Sequence, residues 1–337
     1  MAEISVVIPT YKRPSLLLKC LRQLEKQTLA SDRFEILVIS DGYDETTKNV
    51  LAEYKKSTEL NILFYSTKEK KGPAAARNLG WQLAKSQIIA FTDDDCLPEP
   101  GWLEAFLSVA ERNGELVKSS DGMDFQYKPF ALSGFTSVPI DDKPTDFALN
   151  THGLQTADFI TANCACSLIA LKITGGFDER YGTAWREDSD LEFNFMKHNI
   201  PVLKVNEAVV VHPVREAPWG VSIKEQKKGI YDALLFKKYP ELYRERLSPK
   251  IIFDFYFIVI TGIVCLFAFL NGWWYISAVT FLTVLIMITG FFIIRIRNTR
   301  KTKDHILEMW VTSSVIPFLS VYWRIYGAVK FKVLFLG

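Results

Sequence analysis

Ile88-Ile89-Ala90-Phe91-Thr92-Asp93-Asp94-Asp95-Cys96-Leu97-Pro98 reads as a buried β-strand that delivers a run of carboxylates at its carboxyl end. Pro98 is expected to stop further strand pairing. Three adjacent like charges repel, so a fold that clusters them offsets them with a cation, solvent or both. Hard divalent ions such as Mg2+ or Mn2+ take oxygen ligands and share them with phosphates. An isolated acidic triplet is more often a solvated turn, so the weight rests on what else the chain brings to the same place.

Upstream, residues 4–8 form a short apolar strand closed by Pro9-Thr10-Tyr11-Lys12-Arg13-Pro14, and Leu16, Leu17, Cys20, Leu21 and Leu24 then recur at helical spacing. Residues 34–39 read as a second buried strand ending in Ser40-Asp41-Gly42, a helix runs through Val50, Leu51 and Tyr54, and residues 61–65 make a third strand. Lys71-Gly72-Pro73 opens the next helix. Alternating β and α segments with buried strands predict an α/β fold whose mostly parallel sheet is covered on both faces. Ligands of such sheets bind beyond the carboxyl ends of the strands. Thr10, Asp41 and Asp93–Asp95 all follow predicted strands and are expected to converge on one crevice. Taken alone, Asp41-Gly42 would be an ordinary turn pair.

The 337 residues allow one large domain or two smaller ones. With a net charge of +2, no polyanionic partner is implied by the composition, and no nucleic acid is expected. Five scattered cysteines without zinc spacing, with Cys164 and Cys166 in an apolar run, fit a reducing compartment. The chain enters its first strand directly, so no signal peptide is expected.

Apolar residues are unevenly distributed. Residues 251–270 and 273–294 are each about 20 residues long, enough to cross a hydrocarbon core of ~30 Å, and only Asn271-Gly272 separates them. Trp273, Trp274 and Tyr275 suit a headgroup belt. Lys237, Lys238, Arg244, Arg246 and Lys250 precede the pair, and Arg295, Arg297, Arg300, Lys301 and Lys303 follow it. Positive residues at both outer ends predict a transmembrane helical hairpin with both ends in the cytoplasm. The expected organisation is a domain over 1–249 (halves of about 1–112 and 113–249), the hairpin over 250–295, and a basic loop followed by an interfacial or re-entrant amphipathic segment over 296–337. Within that last part, residues 306–336 are interrupted by Pro317, Arg324, Lys330 and Lys332.

Residues 115–158 carry few regular patterns and many turn formers, and read as a variable stretch. Residues 161–171 are apolar enough for a strand passing Asn163, Gly175-Gly176-Phe177-Asp178-Glu179 is a turn, and Trp185 to Phe193 start a helix. Asp188 there suits an N-cap or first-turn carboxylate. Residues 205–211 form a strand, with His212 at its end.

The segments Ile4-Ser5-Val6-Val7-Ile8-Pro9-Thr10-Tyr11, Ser40-Asp41-Gly42, Gly72-Pro73-Ala74-Ala75-Ala76-Arg77-Asn78 and Asp93-Asp94-Asp95, in this order and spacing, resemble a family 2 glycosyltransferase of the GT-A fold. The likeness continues through Asn163, Gly175–Glu179 and Glu187-Asp188-x-Asp190-Leu191, covering roughly residues 4–215. Ser40 stands where an aspartate is common, and Asp41 is retained.

The resemblance implies that Pro9, Thr10, Tyr11, Arg13 and Asp41 hold the nucleotide, with Arg77 and Asn78 near it and Asp93 and Asp94 also among the donor-binding residues. It also implies a divalent cation, Mn2+ or Mg2+, bridging the donor diphosphate, and a general base in the Glu187/Asp188 pair, assigned to Asp188. His212 resembles a further metal or phosphate contact, which makes the metal set Asp93, Asp95 and His212.

Chemistry read on the residues agrees. A carboxylate-held metal neutralises a leaving diphosphate. Asp93 and Asp95 alternate to one side of an extended segment, which favours Asp95 as direct ligand, with Asp93 binding metal or ribose, and leaves Asp94 a hydrogen-bonding role. A base must take the acceptor hydroxyl proton, and a single displacement inverts the anomeric centre.

The Gln-x-x-Arg-Trp motif of processive synthases is absent, since Gln226 is followed by Lys227-Lys228-Gly229. The expected function is a non-processive, inverting transferase on the cytoplasmic face of the cell membrane. It would move sugar from a nucleotide-sugar, UDP-sugar by default, to a lipid-linked saccharide or glycan. The alternatives are a polyprenyl-phosphate glycosyltransferase, whose acceptor is already ionised, and a noncatalytic nucleotide-sugar sensor or scaffold.

Overall fold

The computed structural model describes residues 2–119, 122–247 and 252–337. They form two compact units, one of residues up to Pro139 with Gly153–Pro213, the other of Ile140–His152 with Val214–Gly337. The domain boundary expected at 249/250 lies outside the described residues, and the division between compact units falls earlier, after Pro213.

The first unit runs β1 (Ile4–Thr10), α1 (Pro14–Leu24), β2 (Phe34–Ser40), α2 (Glu45–Tyr54), β3 (Ile62–Ser66), α3 (Pro73–Leu83), β4 (Ile88–Thr92), β5 (Leu97–Pro98), α4 (Trp102–Glu111), β6 (Gly114–Ser119), β7 (Gly122–Tyr127) and β8 (Ala131–Ser137). After α5 (Asp146–His152), which belongs to the second unit, it continues through β9 (Asn163–Ser167), α6 (Leu168–Thr174), α7 (Glu187–Lys197) and β10 (Val202–Val211). Eight strands form one mixed sheet in the order β3-β2-β1-β4-β9-β8-β10-β5, and β6 and β7 pair separately. Strands β3, β2, β1 and β4 are mutually parallel, as the buried apolar runs predict.

Side-chain alternation explains why these strands are apolar throughout. Ile4, Val6 and Ile8 join one core with Leu17 and Leu21 of α1 and Trp102 and Phe106 of α4. Val7, Leu37, Ile39, Ile89 and Phe91 join the opposite core with Ala74, Ala76 and Trp81 of α3. Each strand therefore feeds two hydrophobic layers.

Several sequence expectations need correction. β1 extends through Pro9 to Thr10. Proline is tolerated there because the β1–β4 ladder ends at Val7 and Phe91, so its missing N–H costs no bond on that side. Pro98 does not end pairing: Leu97 and Pro98 pair antiparallel with Val211 and Val210 at the sheet edge, where proline is admitted. The apolar run 161–171 divides into β9 and α6, because Ser167 accepts the backbone N–H of Ala170 at 3.3 Å as an N-cap and Gly175 ends the helix at φ +79°. Residues 115–158, read as irregular, include strands β6 to β8 and α5, and β8 lies well inside the sheet.

The second unit contains α5, α8 (Val221–Glu225), α9 (Ile230–Lys238), α10 (Pro240–Leu247), α11 (Ile252–Leu270), α12 (Trp274–Ile296) and α13 (Lys303–Phe331). Three of these, α11, α12 and α13, are long and apolar enough to cross a membrane. The segment after the hairpin is thus one 29-residue helix that passes through Pro317. Its interrupting Arg324 is mostly buried and pairs with Asp232 of α9 at 3.5 Å. Arg295 lies in the last turn of α12, buried against Asp146 at 2.6 Å and donating to the Thr312 and Ser313 hydroxyls at 2.7 and 3.1 Å.

Candidate active site

The site lies where β1, β2 and β4 of the first unit end, joined by the start of α7 and the end of β10. β4 stops at Thr92, so Asp93, Asp94 and Asp95 leave the sheet together. They face different partners. Asp93 accepts from the Arg77 guanidinium at 2.7 Å. Asp94 is fully buried, takes the Thr10 hydroxyl at 2.6 Å and pairs with Arg13 at 2.9 Å. Asp95 lies 3.7 Å from Arg13 and 4.0 Å from His212 Nε2.

Ionisation follows these surroundings. Burial pushes Asp94 up to about 7 against the pull of Arg13 and Thr10, with Asp95 and Asp93 adding to the rise. Burial also works against Asp93, but the charge and hydrogen bond of Arg77 prevail and hold its carboxyl below the usual range.

Arg77 is the hub. It projects from α3, is 1% exposed, and joins Asp93 on one side to Glu187 on the other at 3.1 Å, with its guanidinium 5.6 Å from the Phe177 ring centre. Glu187 opens α7 and is 3% exposed. Burial and the neighbouring Asp188 raise Glu187 to about 7, while Arg77 opposes the shift. Asp188 sits in the first turn of α7 rather than at its N-cap, which is Arg186. Burial raises Asp188 as well, although the Ser189 N–H donates to it at 2.7 Å.

Asn78 is committed to the protein. Its oxygen accepts the Phe177 N–H and the Trp81 indole N–H, both at 2.9 Å, and its amide donates to the Phe177 carbonyl and to Glu179 at 2.8 and 3.0 Å. An asparagine side chain makes four such bonds, so this one is fully used in clamping the 175–179 turn onto α3. Asn163 plays a similar part in the sheet, accepting from Trp102 at 2.8 Å and donating to the carbonyls of Phe135 and Ala208.

Asp41 accepts the N–H groups of Lys71 and Gly72 at 2.8 and 2.9 Å. Gly72 holds φ +105°, and a Cβ there would come within 2.7 Å of the Gly182 carbonyl, so the 70–72 turn and the loop before α7 pack backbone to backbone. Two ammonium groups lie near the Tyr11 ring, Lys70 at 4.1 Å and Lys12 at 5.3 Å from its centre. The Lys12 N–H donates to Asp44, the N-cap of α2, a loop anchor that has no distinguishing pattern in the sequence.

A divalent cation is tested by the donor set. Among the described residues, Asp95, Cys96 and His212 bring one ligand atom each within 4.8 Å of one another, and His212 Nδ1 is buried without a hydrogen-bond partner. Carboxylate with imidazole fits Mn2+ well, and Mg2+ through the carboxylate. Cys96, adjacent to the acidic run, was not anticipated, and Asp93 is turned toward Arg77 instead.

Residues 5–137 match the model of glycosyl transferase family 2. The chain carries a family 2 glycosyltransferase domain. Validoxylamine A glucosyltransferase of Streptomyces hygroscopicus subsp. limoneus is 27% identical over 256 residues, covering 66% of this chain and 52% of that protein. Poly(ribitol-phosphate) beta-glucosyltransferase of Bacillus spizizenii is 34% identical over 165 residues, 48% of this chain and 26% of that one. The chain thus spans about half the length, or less, of these curated relatives. A mannosyltransferase of Pyrobaculum calidifontis, solved with GDP-Man and Mn2+, superposes with a TM-score of 0.54 at 16% identity, over 98% of this chain and 87% of that one. That likeness covers the GT-A-like sheet of the glycosyltransferase domain together with the apolar C-terminal helices.

Proposed function

We propose that the protein is an inverting, metal-dependent glycosyltransferase. It moves a sugar from a nucleotide-sugar to a hydroxyl of a lipid-linked saccharide or glycan at the cytoplasmic face of a membrane. The observation that carries this reading is the Asp93–Arg77–Glu187 bridge, because it ties the carboxylates that follow β4 to the pair that starts α7. A transferase needs both groups at one place, whereas a nucleotide sensor needs no base. The glycosyltransferase relatives and the mannosyltransferase solved with a nucleotide-sugar and Mn2+ support the same reading.

Asp95 and His212 would hold the cation, with Cys96 in reach, and the bound ion supplies charge neutralisation for the leaving diphosphate. Arg13, beside Asp94 and Asp95, would meet diphosphate oxygens. Asp188 takes the acceptor hydroxyl proton as that oxygen attacks the anomeric carbon. The three C-terminal helices would anchor the domain beside a lipid-linked acceptor.

In isothermal titration of the full chain with UDP and GDP, Mn2+ is expected to tighten binding of the preferred nucleotide. Asp95→Ala should weaken the Mn2+-supported affinity about tenfold or more, on the order of one charge-assisted ligand. An unchanged dissociation constant in Asp95→Ala would remove it from the metal site.

The raised Glu187 and Asp188 set the pH dependence. A base works only when deprotonated, so kcat/KM is expected to rise with pH through neutrality and to level off above it. The limb belongs to the pair rather than to either residue. Glu187→Gln removes a like charge and should move the limb to lower pH; a limb that stays in place would show that the two carboxyls titrate independently.

A further inference from the structure

Trp185 and Arg186 immediately precede the Glu187–Asp188 pair, and the function above gives them no task. Trp185 is 40% exposed, and the Arg186 guanidinium lies over its ring, 4.9 Å from the centre. A single exposed indole is unremarkable on a protein surface. This one is built into the loop in two independent ways.

Arg186 adopts φ +72°, the left-handed region that a residue with a long side chain rarely enters. It does so as the N-cap of α7 without making a side-chain capping bond, so capping does not explain the choice of arginine. Such conformations collect at ligand clamps, where the surroundings hold them. The other end of the loop is also fixed: Gly182 packs on Gly72, whose N–H donates to Asp41, and the Trp185 N–H closes a turn onto the Thr183 carbonyl at 2.8 Å. A rigid indole with a cation on it is thereby held no more than about 10 Å of chain from Asp188.

We infer that Trp185 and Arg186 form an acceptor subsite for an anionic saccharide. The inference rests on the transferase reading, since the acceptor is what Asp188 must meet. The C–H face of a sugar or polyol unit packs on the indole, and the guanidinium pairs with a phosphate or carboxylate on the same or the next unit. An acceptor seated this way presents a hydroxyl toward the carboxyl pair.

The test uses the full chain in detergent, labelled with 5-fluorotryptophan, with the Trp185 19F resonance assigned through Trp185→Phe. Poly(ribitol phosphate) is the anionic probe and maltotriose the neutral one. Poly(ribitol phosphate) is expected to shift the Trp185 resonance, and Arg186→Asn, which tolerates the left-handed backbone, should weaken that affinity about tenfold. Arg186→Lys should recover part of it, and maltotriose should bind weakly and be indifferent to the Arg186 changes. In transfer assays Trp185→Ala should raise the acceptor KM about tenfold while the affinity for UDP or GDP stays within twofold.

No shift with either probe, or equal affinity for both in wild type and Arg186→Asn, overturns the subsite. Binding of poly(ribitol phosphate) at Trp185 with no sugar transfer from any donor removes the transferase reading and keeps the subsite. Transfer with no response at Trp185 does the reverse.

Discussion

Asp188→Asn is expected to lower sugar transfer by about 10²–10⁴-fold, the usual contribution of a positioned general base, while nucleotide-sugar affinity stays near that of the wild type. The substitution keeps the volume of the side chain and the acceptor oxygen that receives the Ser189 N–H at 2.7 Å, so α7 should start normally. It also removes a charge that burial already disfavours, so stability should not fall. Steady-state kinetics alongside calorimetric donor binding separates these effects. Transfer at the wild-type rate would release Asp188 from the base role and favour an acceptor that arrives ionised, such as a lipid phosphate.

Arg77→Met should have the second large effect, on the fold rather than on chemistry alone. Arg77 is 1% exposed and carries the positive charge between Asp93 and Glu187. Removing one partner of a buried ion pair typically costs about 3–5 kcal/mol, because the remaining charges are left uncompensated. The sign of the pH dependence follows from the carboxyls. Without Arg77, burial is left unopposed to push Asp93 up from its lowered value and Glu187 rises further, so both lie above their unfolded values and the native state binds more protons than the unfolded chain in the interval between. Stability of the variant therefore falls as pH rises through that interval, and the loss relative to wild type is smallest in acid.

Thermal denaturation of the full chain in detergent at acid and at mildly alkaline pH checks this. The double variant Arg77→Met with Glu187→Gln should recover part of the loss, giving a coupling between the two positions. An Arg77→Met midpoint equal to wild type at alkaline pH would mean that solvent already compensates the two carboxylates.

The two expectations bear on one structural point. In the proposed reaction Asp188 would act at its own carboxyl, whereas Arg77 would act through others, since it joins Asp93 after β4 to Glu187 at the start of α7. The clamp by Asn78, the next residue of the same helix, holds the 175–179 turn beside that frame.

Local sequence was sufficient for the parallel half of the sheet. Strands of continuous apolar residues, separated by amphipathic segments, have one good solution, a sheet buried on both faces, and the acidic run at the end of β4 then had to lie at its carboxyl edge. The two hydrophobic segments after residue 250 were equally legible, since a length of about 20 apolar residues is a local property. The boundary between β9 and α6 was less so: short apolar runs fit either period, although Ser167 and Gly175 were the cap signals that divide them.

Tertiary structure alone decided the partners. Arg77 and Asn78 are neighbours on one helix, yet one faces the carboxylates and the other the 175–179 turn, an outcome of helix rotation against the sheet that no local pattern encodes. Cys96 entered the cluster with Asp95 and His212 because β10 returns beside β5, more than a hundred residues later in the chain. The third long helix was obscured for the same reason: Arg324 argues against a continuous apolar helix until Asp232 is seen beside it. Residue type and spacing determined which chemistry was present, and long-range packing determined which charges compensate one another, because compensation depends on distances between segments that are remote in sequence.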